Sequence, residues 1–294
     1  MIAVPETFRE MPRWWHDHPG RSWLDALPVL VETQCRRWQL EVDGAPRHGS
    51  NALVVPVRRG ADPFVLRLSP PGDDVTSEAA ALRLWAGRGT VRLFEVDVDA
   101  HALLLERLSS SRSLQSEPLS TAIPVIADLV TQLAVPAPPK VRSTGSIAAK
   151  HVETFGGDWS ALEGPTPRTQ LDRAIHLADD LAHSRPAALA VDGDLHCEQV
   201  LAADRAPWLV VDPVLLRGDP EYDFARVLWS RLDELPEDSD ITSAFELFVG
   251  AARVPPERAR AWVVVRSMSY LLWSIPRSLT DDPPRCRRLL DLFC

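Results

Sequence analysis

The sequence has few cysteines and no long apolar run. Its four cysteines lie far apart without the paired spacing of a zinc site: Cys35, Cys197, Cys286 and Cys294. Four cysteines in a chain of 294 residues favour free thiols in a reducing compartment. We therefore expect a cytoplasmic protein. No apolar stretch approaches the roughly 20 residues that span a bilayer. The first residues also lack the charged and apolar regions of a signal peptide. We therefore expect no membrane partner.

The charge balance excludes another class of partner. The formal net charge is −9 and the pI is about 5.4, which argues against a general nucleic-acid-binding protein. An acidic protein can accept a cationic substrate, although such a balance often serves only solubility. The hydrophobic content of 45% and the charged content of 25% are typical of a globular protein, and the length allows one large domain or two lobes.

Strand patterns dominate the first part of the chain and helix patterns the rest. Short helices are predicted within residues 12–40, where tryptophans recur at helical spacing and are interpreted as packing residues rather than a ligand cage. The pattern then predicts a hairpin (Ala52–Val57 and Pro63–Ser69), a helix (Thr76–Trp85) and two more strands (Val91–Val98 and Ala102–Leu108). Beyond Ser109-Ser110-Ser111, helices are predicted at 121–135, 168–184, 222–235, 241–253, 257–275 and 284–293. This order predicts an α+β chain with lobes at residues 1–108 and 109–294.

The stretch Val191–Asp223 carries the strongest chemical signal. Two apolar runs, Gln199–Ala203 and Trp208–Val211, flank a short turn and predict a hairpin. Asp194 precedes the first strand and Asp212 follows the second, so the two carboxylates should face one cleft. With the amide of Gln199, they suit Mg²⁺ binding and proton acceptance from a hydroxyl, as phosphoryl transfer requires. The alternative is that they are ordinary turn acids.

Two segments of this stretch resemble a known family. Asp194-Leu195-His196 with Gln199 resembles the D-L-H-x-x-N catalytic loop of antibiotic kinases. The segment from Trp208 to Asp212-Pro213, followed by Gly218-Asp219-Pro220-Glu221-Tyr222-Asp223, resembles the W-x-x-x-D-P and G-D-P-x-Y-D pattern of the aminoglycoside/hydroxyurea phosphotransferases. The resemblance implies a bilobal protein-kinase-like fold with a β-rich N-lobe. It also implies ATP- and Mg²⁺-dependent transfer of the γ-phosphate to a hydroxyl of a small molecule, such as an aminoglycoside-like antibiotic.

The resemblance assigns roles in the predicted second lobe. Asp194 would be the general base, Asp212 the main Mg²⁺ ligand and Gln199 a second ligand where the family has Asn. Asp192 replaces the His of the H-G-D motif and is given no role, while His196 is expected to form structural hydrogen bonds. Further expectations are loop anchoring and helix capping by Asp219 and Asp223, with Arg226 and Arg231 pairing with those acids.

In the first lobe the resemblance implies an ATP site. By its place in the resemblance, Arg67 lies where the family's phosphate-binding lysine is expected. The chain has only two lysines, Lys140 and Lys150, and neither lies in a strand pattern. Arginine also binds phosphate but is bulkier than lysine. Glu78 would pair with Arg67. The turn at Gly49-Ser50-Asn51 could bind phosphate through its backbone N–H groups, although the sequence alone favours a plain β-turn there. At the hinge, backbone groups near Glu106 and Leu108 would bind adenine.

Three functional hypotheses follow from these residues. The first is a small-molecule kinase, whose hydroxylated and cationic substrate would meet the acids Asp219, Glu221 and Glu234. The second is a degenerate kinase-fold protein that binds nucleotide with little transfer, because Arg67, Asp192 and Gln199 depart from the family pattern. The third is a metal-dependent hydrolase that uses Asp194, His196 and Asp212 without nucleotide.

Overall fold

The structure, a computed structural model, describes residues 2–14, 17–184 and 188–294. It divides into two compact units, Met1–Ser109 with Ala203–Arg205 and Ser110–Ala202 with Ala206–Cys294. The sequence carries no signal for the assignment of residues 203–205 to the first unit. The first unit is built on a β-sheet and the second is mostly helical, which confirms the α+β class.

The first unit is an antiparallel sheet with helices packed on it. Its elements are α1 (Glu6–Arg9), α2 (His18–Trp38), β1 (Glu41–Val42), β2 (Arg47–His48), β3 (Leu53–Arg59), β4 (Asp62–Leu68), α3 (Val75–Trp85), β5 (Leu93–Asp97) and β6 (Ala102–Glu106). The strands lie in the order β1, β3, β4, β6 and β5, with β2 pairing with β3. The predicted hairpin is β3 and β4, in which Val54 lies opposite Arg67. The later predicted strand pair is β5 and β6.

A single long helix replaces the short helices predicted near the N-terminus. α2 has 21 residues, and the side chain of Asp17 caps it by accepting a hydrogen bond from the Gly20 N–H at 2.9 Å. Trp14 and Trp23 pack around Phe8 with ring centroids 5.4 and 6.0 Å from it. Both indoles belong to a buried core cluster shared with the sheet, so the packing interpretation is confirmed for them. Trp15, in the same predicted region, lies outside the described residues.

The second unit combines helices with two small antiparallel sheets. Its elements are β7 (Ser109–Ser113), α4 (Leu119–Leu133), α5 (Thr144–Ala161), α6 (Arg168–His183), β8 (Leu189–Asp192), β9 (Val200–Ala202), β10 (Trp208–Val210), β11 (Leu215–Gly218), α7 (Phe224–Ser230), α8 (Asp238–Ala252), α9 (Pro256–Ser274) and α10 (Asp282–Phe293). One sheet has the order β10, β9 and β7, and the other pairs β11 with β8. Within the described ranges, no helix is both long and apolar enough to cross a membrane.

The predicted catalytic hairpin is confirmed, but several neighbouring elements differ from the prediction. β9 and β10 pair with Leu201 opposite Leu209, as the two apolar runs indicated. α5 was not predicted, because its buried face is sparse and Gly156-Gly157 interrupts it. The helix expected over 222–235 ends at Ser230 and continues as a 3-10 turn. The β8–β11 pair was also missed, since its two short strands are distant in sequence.

Candidate active site

Asp194 lies in a loop between β8 and a 3-10 turn at Cys197–Gln199. At the preceding residue, Gly193, a Cβ would lie 2.5 Å from Leu216 Cδ1, so Leu216 would have to move to admit a side chain. The Gly193 N–H donates to the Val214 carbonyl at 2.7 Å. This close approach of β8 and β11 sets where the Asp194 loop begins.

Asp192 holds this loop from inside the protein. One carboxylate oxygen, Oδ1, accepts hydrogen bonds from the Asp194 N–H at 3.1 Å and the Val214 N–H at 2.9 Å. Burial raises the pKa of Asp192 well above its ordinary range, and these two hydrogen bonds partly oppose the effect. Asp192, for which the sequence predicted no role, therefore connects the Asp194 loop to the segment that follows Asp212.

The carboxylate of Asp194 is held on both of its oxygens. Oδ1 forms an ion pair with Arg226 Nη1, and Oδ2 accepts a hydrogen bond from Gln199 Nε2 at 3.1 Å. Burial raises the pKa of Asp194, the positive charge of Arg226 opposes that rise, and the negative charge of Asp212 adds to it. A carboxylate in this setting is a stronger proton acceptor than one in water.

Gln199 joins the two predicted carboxylate positions. Besides its bond to Asp194, its Nε2 lies 3.5 Å from the backbone oxygen of Asp212. Its own Oε1 is buried and has no hydrogen-bond partner among the described residues. Asp212 follows β10 with a positive φ of 55°, a backbone conformation that non-glycine residues rarely adopt. Asp194, Gln199 and Asp212 are therefore neighbours, as the hairpin predicted.

These residues fit a magnesium ion. Mg²⁺ prefers oxygen ligands and usually takes one or two carboxylates together with water and phosphate oxygens. The orphaned amide oxygen of Gln199 and the nearby carboxylate of Asp212 are donors of that kind. Among the described residues, no group of three or more His, Cys, Asp or Glu side chains is arranged to hold a metal by itself. The donor set thus suits a metal that shares its ligands with a phosphate.

Two of the three predicted substrate acids are buried. Asp219 and Glu221 are each only 2% exposed, so neither can line an open substrate cleft. Asp219 Oδ2 accepts hydrogen bonds from Arg258 Nη2 at 2.6 Å and Trp262 Nε1 at 2.8 Å, which makes it the predicted loop anchor. Glu234 is exposed and pairs with Arg231 Nε at 2.6 Å, so its contact with a substrate stays a prediction.

The predicted ion pairs of α7 were wrong. Arg226 contacts Asp194, and Arg231 contacts Glu234 and the Glu117 carbonyl rather than Asp219 or Asp223. The partner of Asp223 is Arg266 of α9, with Nη2 at 2.5 Å. Asp223 occupies the N-cap position of α7, yet its side chain makes no capping hydrogen bond. No signal in the sequence could identify Arg226, because its partner lies 32 positions away.

His196 remains a neutral residue beside the site. Burial and then the positive charge of Arg226 lower the pKa of its imidazole to about 3. The backbone oxygen of His196 accepts from the Gln199 N–H at 3.0 Å, which helps to shape the turn. A structural hydrogen bond from its side chain stays a prediction.

The first unit brings together the predicted phosphate-site pair. Arg67 Nη1 lies 2.5 Å from Glu78 Oε2 of α3 and 2.8 Å from Ser69 Oγ. Arg67 is 7% exposed, so this is an inward-facing arginine rather than a surface residue. The predicted pairing of Arg67 with Glu78 is confirmed, whereas phosphate binding by Arg67 stays a prediction.

The predicted turn and hinge have clear structural positions. Ser50 and Asn51 lie in the turn between β2 and β3, where Asn51 Nδ2 donates to Asp73 Oδ2 at 2.9 Å. Glu106 ends β6, and Leu108 is half-buried just beyond it. The sequence did not indicate that Arg205 would bind the Glu106 carboxylate, with Nε 2.7 Å from Oε1 and Nη2 2.9 Å from Oε2. The Glu106 N–H is taken by the Arg92 carbonyl at 2.9 Å, so an adenine at this hinge would need other backbone groups.

Comparison with known proteins gives a consistent result. A family model described as aminoglycoside/hydroxyurea antibiotic resistance kinase matches residues 37–275. Streptomycin 6-kinase of Streptomyces griseus is 36% identical over 290 residues, covering 96% of this chain and 94% of its own. Hydroxyurea phosphotransferase of Kitasatospora aureofaciens is 34% identical over 291 residues, covering 97% and 84%. Aminoglycoside phosphotransferase APH(4)-Ia, solved with ADP and hygromycin B, has the same fold, with a TM-score of 0.63 at 16% identity over 89% of this chain and 97% of its own.

Proposed function

Because this chain belongs to the family of aminoglycoside/hydroxyurea antibiotic resistance kinases, we propose that it moves the γ-phosphate of ATP to a hydroxyl of an antibiotic. It is a small-molecule phosphotransferase that acts on a hydroxyl group. The observation that carries the proposed mechanism is the position of Gln199. Its amide nitrogen reaches both Asp194 and Asp212, while its buried oxygen has no partner among the described residues.

Asp194 is the proposed general base. Its carboxylate is oriented by Gln199 and Arg226, and its pKa is raised by burial, which favours proton acceptance. Each carboxylate oxygen has two lone-pair directions, so the bonds already present leave room for a substrate hydroxyl. Asp194 therefore receives the hydroxyl proton as the substrate oxygen attacks the γ-phosphate.

Asp212 and Gln199 Oε1 are the proposed Mg²⁺ ligands. When bound, the ion supplies positive charge that offsets the negative charge of the phosphate oxygens during transfer. The side chain of Gln199 is one methylene longer than the asparagine usual in the family. Its two contacts hold the amide in place despite that extra length.

ATP binding is assigned to the first unit. Arg67, held by Glu78, is the proposed phosphate contact, because a guanidinium can bind phosphate oxygens. The turn at Ser50 and Asn51 and the backbone beyond Glu106 are the other proposed contacts, for phosphate and adenine respectively. Use of ATP is consistent with the expected cytoplasmic location, where the free cysteines would remain reduced.

The proposed acceptor is a hydroxylated antibiotic, with streptomycin and hydroxyurea as the first candidates because relatives bear those names. The net charge of −9 is compatible with a cationic acceptor. The relatives that match this chain are named kinases and phosphotransferases, which supports phosphate transfer over the hydrolase hypothesis. Nothing in the site favours the degenerate hypothesis, because Arg67 keeps its acidic partner and Gln199 its contacts with both aspartates.

Thermal unfolding with ATP and Mg²⁺, separately and together, tests the cofactors. A ligand at about 100 times its Kd adds roughly 2.7 kcal/mol to the stability of the native state, which is a measurable shift. A shift that requires both components supports the proposal, whereas a shift with ATP alone would favour a binding protein. Phosphate transfer from labelled ATP to streptomycin or hydroxyurea then identifies the acceptor. The absence of both a shift and transfer would contradict the proposed function.

A further inference from the structure

The start of α7 is fixed to α9 through a buried ion pair. Asp223 is 4% exposed, and its Oδ1 accepts hydrogen bonds from Arg266 Nη2 at 2.5 Å and Nε at 3.1 Å. Arg266 also lies over the Tyr222 ring, with its guanidinium carbon 4.7 Å from the centroid. The Arg226 N–H donates to the Asp223 carbonyl at 3.0 Å. The backbone position of Arg226 is therefore determined by residues buried beneath it.

From that position the Arg226 side chain reaches Asp194. Its Nη1 forms an ion pair with one oxygen of the carboxylate, while Gln199 Nε2 donates a hydrogen bond to the other. The two contacts come from separate elements, α7 and the turn after the Asp194 loop. Together they fix the rotation of the carboxylate group as well as its position.

The charge of Arg226 also matters during transfer. The substrate O–H bond breaks as the new O–P bond forms, and the bond from Pγ to the bridging oxygen breaks with its electron pair leaving on ADP. The proton passes to Asp194, which becomes neutral. Once Asp194 is protonated, its carboxyl group no longer balances the positive charge of Arg226.

We propose that Arg226 is a positioning residue of the transfer reaction, which orients the Asp194 carboxylate towards the substrate hydroxyl. This inference rests on the proposed role of Asp194 as the general base. It goes beyond the family motif, because Arg226 lies outside that motif, three residues after the end of the G-D-P-x-Y-D segment.

Steady-state kinetics of Arg226→Met and Arg226→Lys test this role, with ATP, Mg²⁺ and either streptomycin or hydroxyurea as acceptor. Misplacement of a catalytic group by about 1 Å can cost about 100-fold in rate. We expect Arg226→Met to lower kcat by about 10- to 100-fold while the KM for ATP stays within about twofold. Arg226→Lys, which keeps a donor and the charge, should recover part of the loss.

Arg285→Met is the matched control. The Arg285 side chain is 23% exposed, close to the 28% of Arg226, and it also pairs with an aspartate, Asp233. Its kcat should remain near that of the wild type. Arg226→Ala provides a second measurement, because added methylguanidinium should restore part of its kcat by filling the vacated position. This rescue does not depend on whether Arg226→Met folds well.

The outcomes separate the two proposals. If the wild type transfers no phosphate to either acceptor and shows no ATP-dependent transfer at all, the proposed function fails and the role of Arg226 fails with it. If the wild type transfers phosphate but Arg226→Met matches Arg285→Met, only the role of Arg226 is overturned. A loss in Arg226→Ala that methylguanidinium does not reduce would equally overturn it.

Discussion

Replacing Glu221 by glutamine should remove a loss of native-state stability that occurs as the pH rises. Glu221 is 2% exposed, and its Oε1 has no hydrogen-bond partner among the described residues. Arg258 Nε lies 3.7 Å from that oxygen. Burial raises the pKa of Glu221 from 4.5 to about 7, and the negative charge of Asp219 adds to the rise while Arg258 opposes it. The native state therefore favours the protonated, neutral form of the Glu221 side chain.

The sign of the effect follows from linkage. Between pH 4.5 and about 7 the native state holds a proton that the unfolded chain has released, so stability is greatest below pH 4.5 and falls as the pH rises through 7. A pKa difference from 4.5 to about 7 corresponds to about 3 kcal/mol of unfolding free energy. Glutamine does not titrate, so Glu221→Gln should escape this loss. We expect the free energy of unfolding of the variant to exceed that of the wild type by about 1–3 kcal/mol between pH 5 and pH 8.

Urea unfolding at pH 5, 6, 7 and 8 measures this difference, with Glu246→Gln as the control because Glu246 is an exposed acid of α8. The control should follow the wild type across the whole range. Parallel curves for wild type and Glu221→Gln would refute the assignment of a buried titrating acid. Because Glu221 is buried, the variant should also leave the KM of the acceptor unchanged; a raised KM would restore the hypothesis that Glu221 meets the substrate.

Three further substitutions test the proposed site. Asp194→Ala should abolish phosphate transfer but leave ATP affinity by calorimetry largely intact; turnover at the wild-type rate would exclude Asp194 as the base. Arg67→Lys should raise the rate or change the ATP affinity if Arg67 binds phosphate, whereas an unchanged rate and ATP affinity would place it outside that site. Gln199→Ala should raise the Mg²⁺ concentration for half-maximal rate by about 10-fold, with Gln199→Asn recovering part of the effect; an unchanged Mg²⁺ requirement would remove Gln199 from the ligand set.

Local sequence patterns predicted the parts of the fold whose partners are close in the chain. The β3–β4 and β9–β10 hairpins were found because each joins two apolar runs across a short polar turn. The same locality explains why Asp194, Gln199 and Asp212 were expected to meet. They flank one hairpin, so its closure alone brings them together.

Elements without such a signal were missed. α5 contains two adjacent glycines and few buried apolar residues, so its helix depends on packing against α6 and α9 rather than on its own periodicity. β8 and β11 are short strands separated by the whole catalytic hairpin. Their pairing requires contacts that a single stretch of sequence does not display.

The sequence by itself determined the family, the α+β class and the cluster of Asp194, Gln199 and Asp212, because these depend on motifs and on one local hairpin. The tertiary structure alone decided the partners of the charges on α7 and in the segment that precedes it. Arg226 was expected to serve Asp219 or Asp223 but pairs with Asp194, and the two buried acids pair instead with Arg258 and Arg266 of α9. Charges attract at a distance without regard to chain order, so their pairing is settled only when the helices pack.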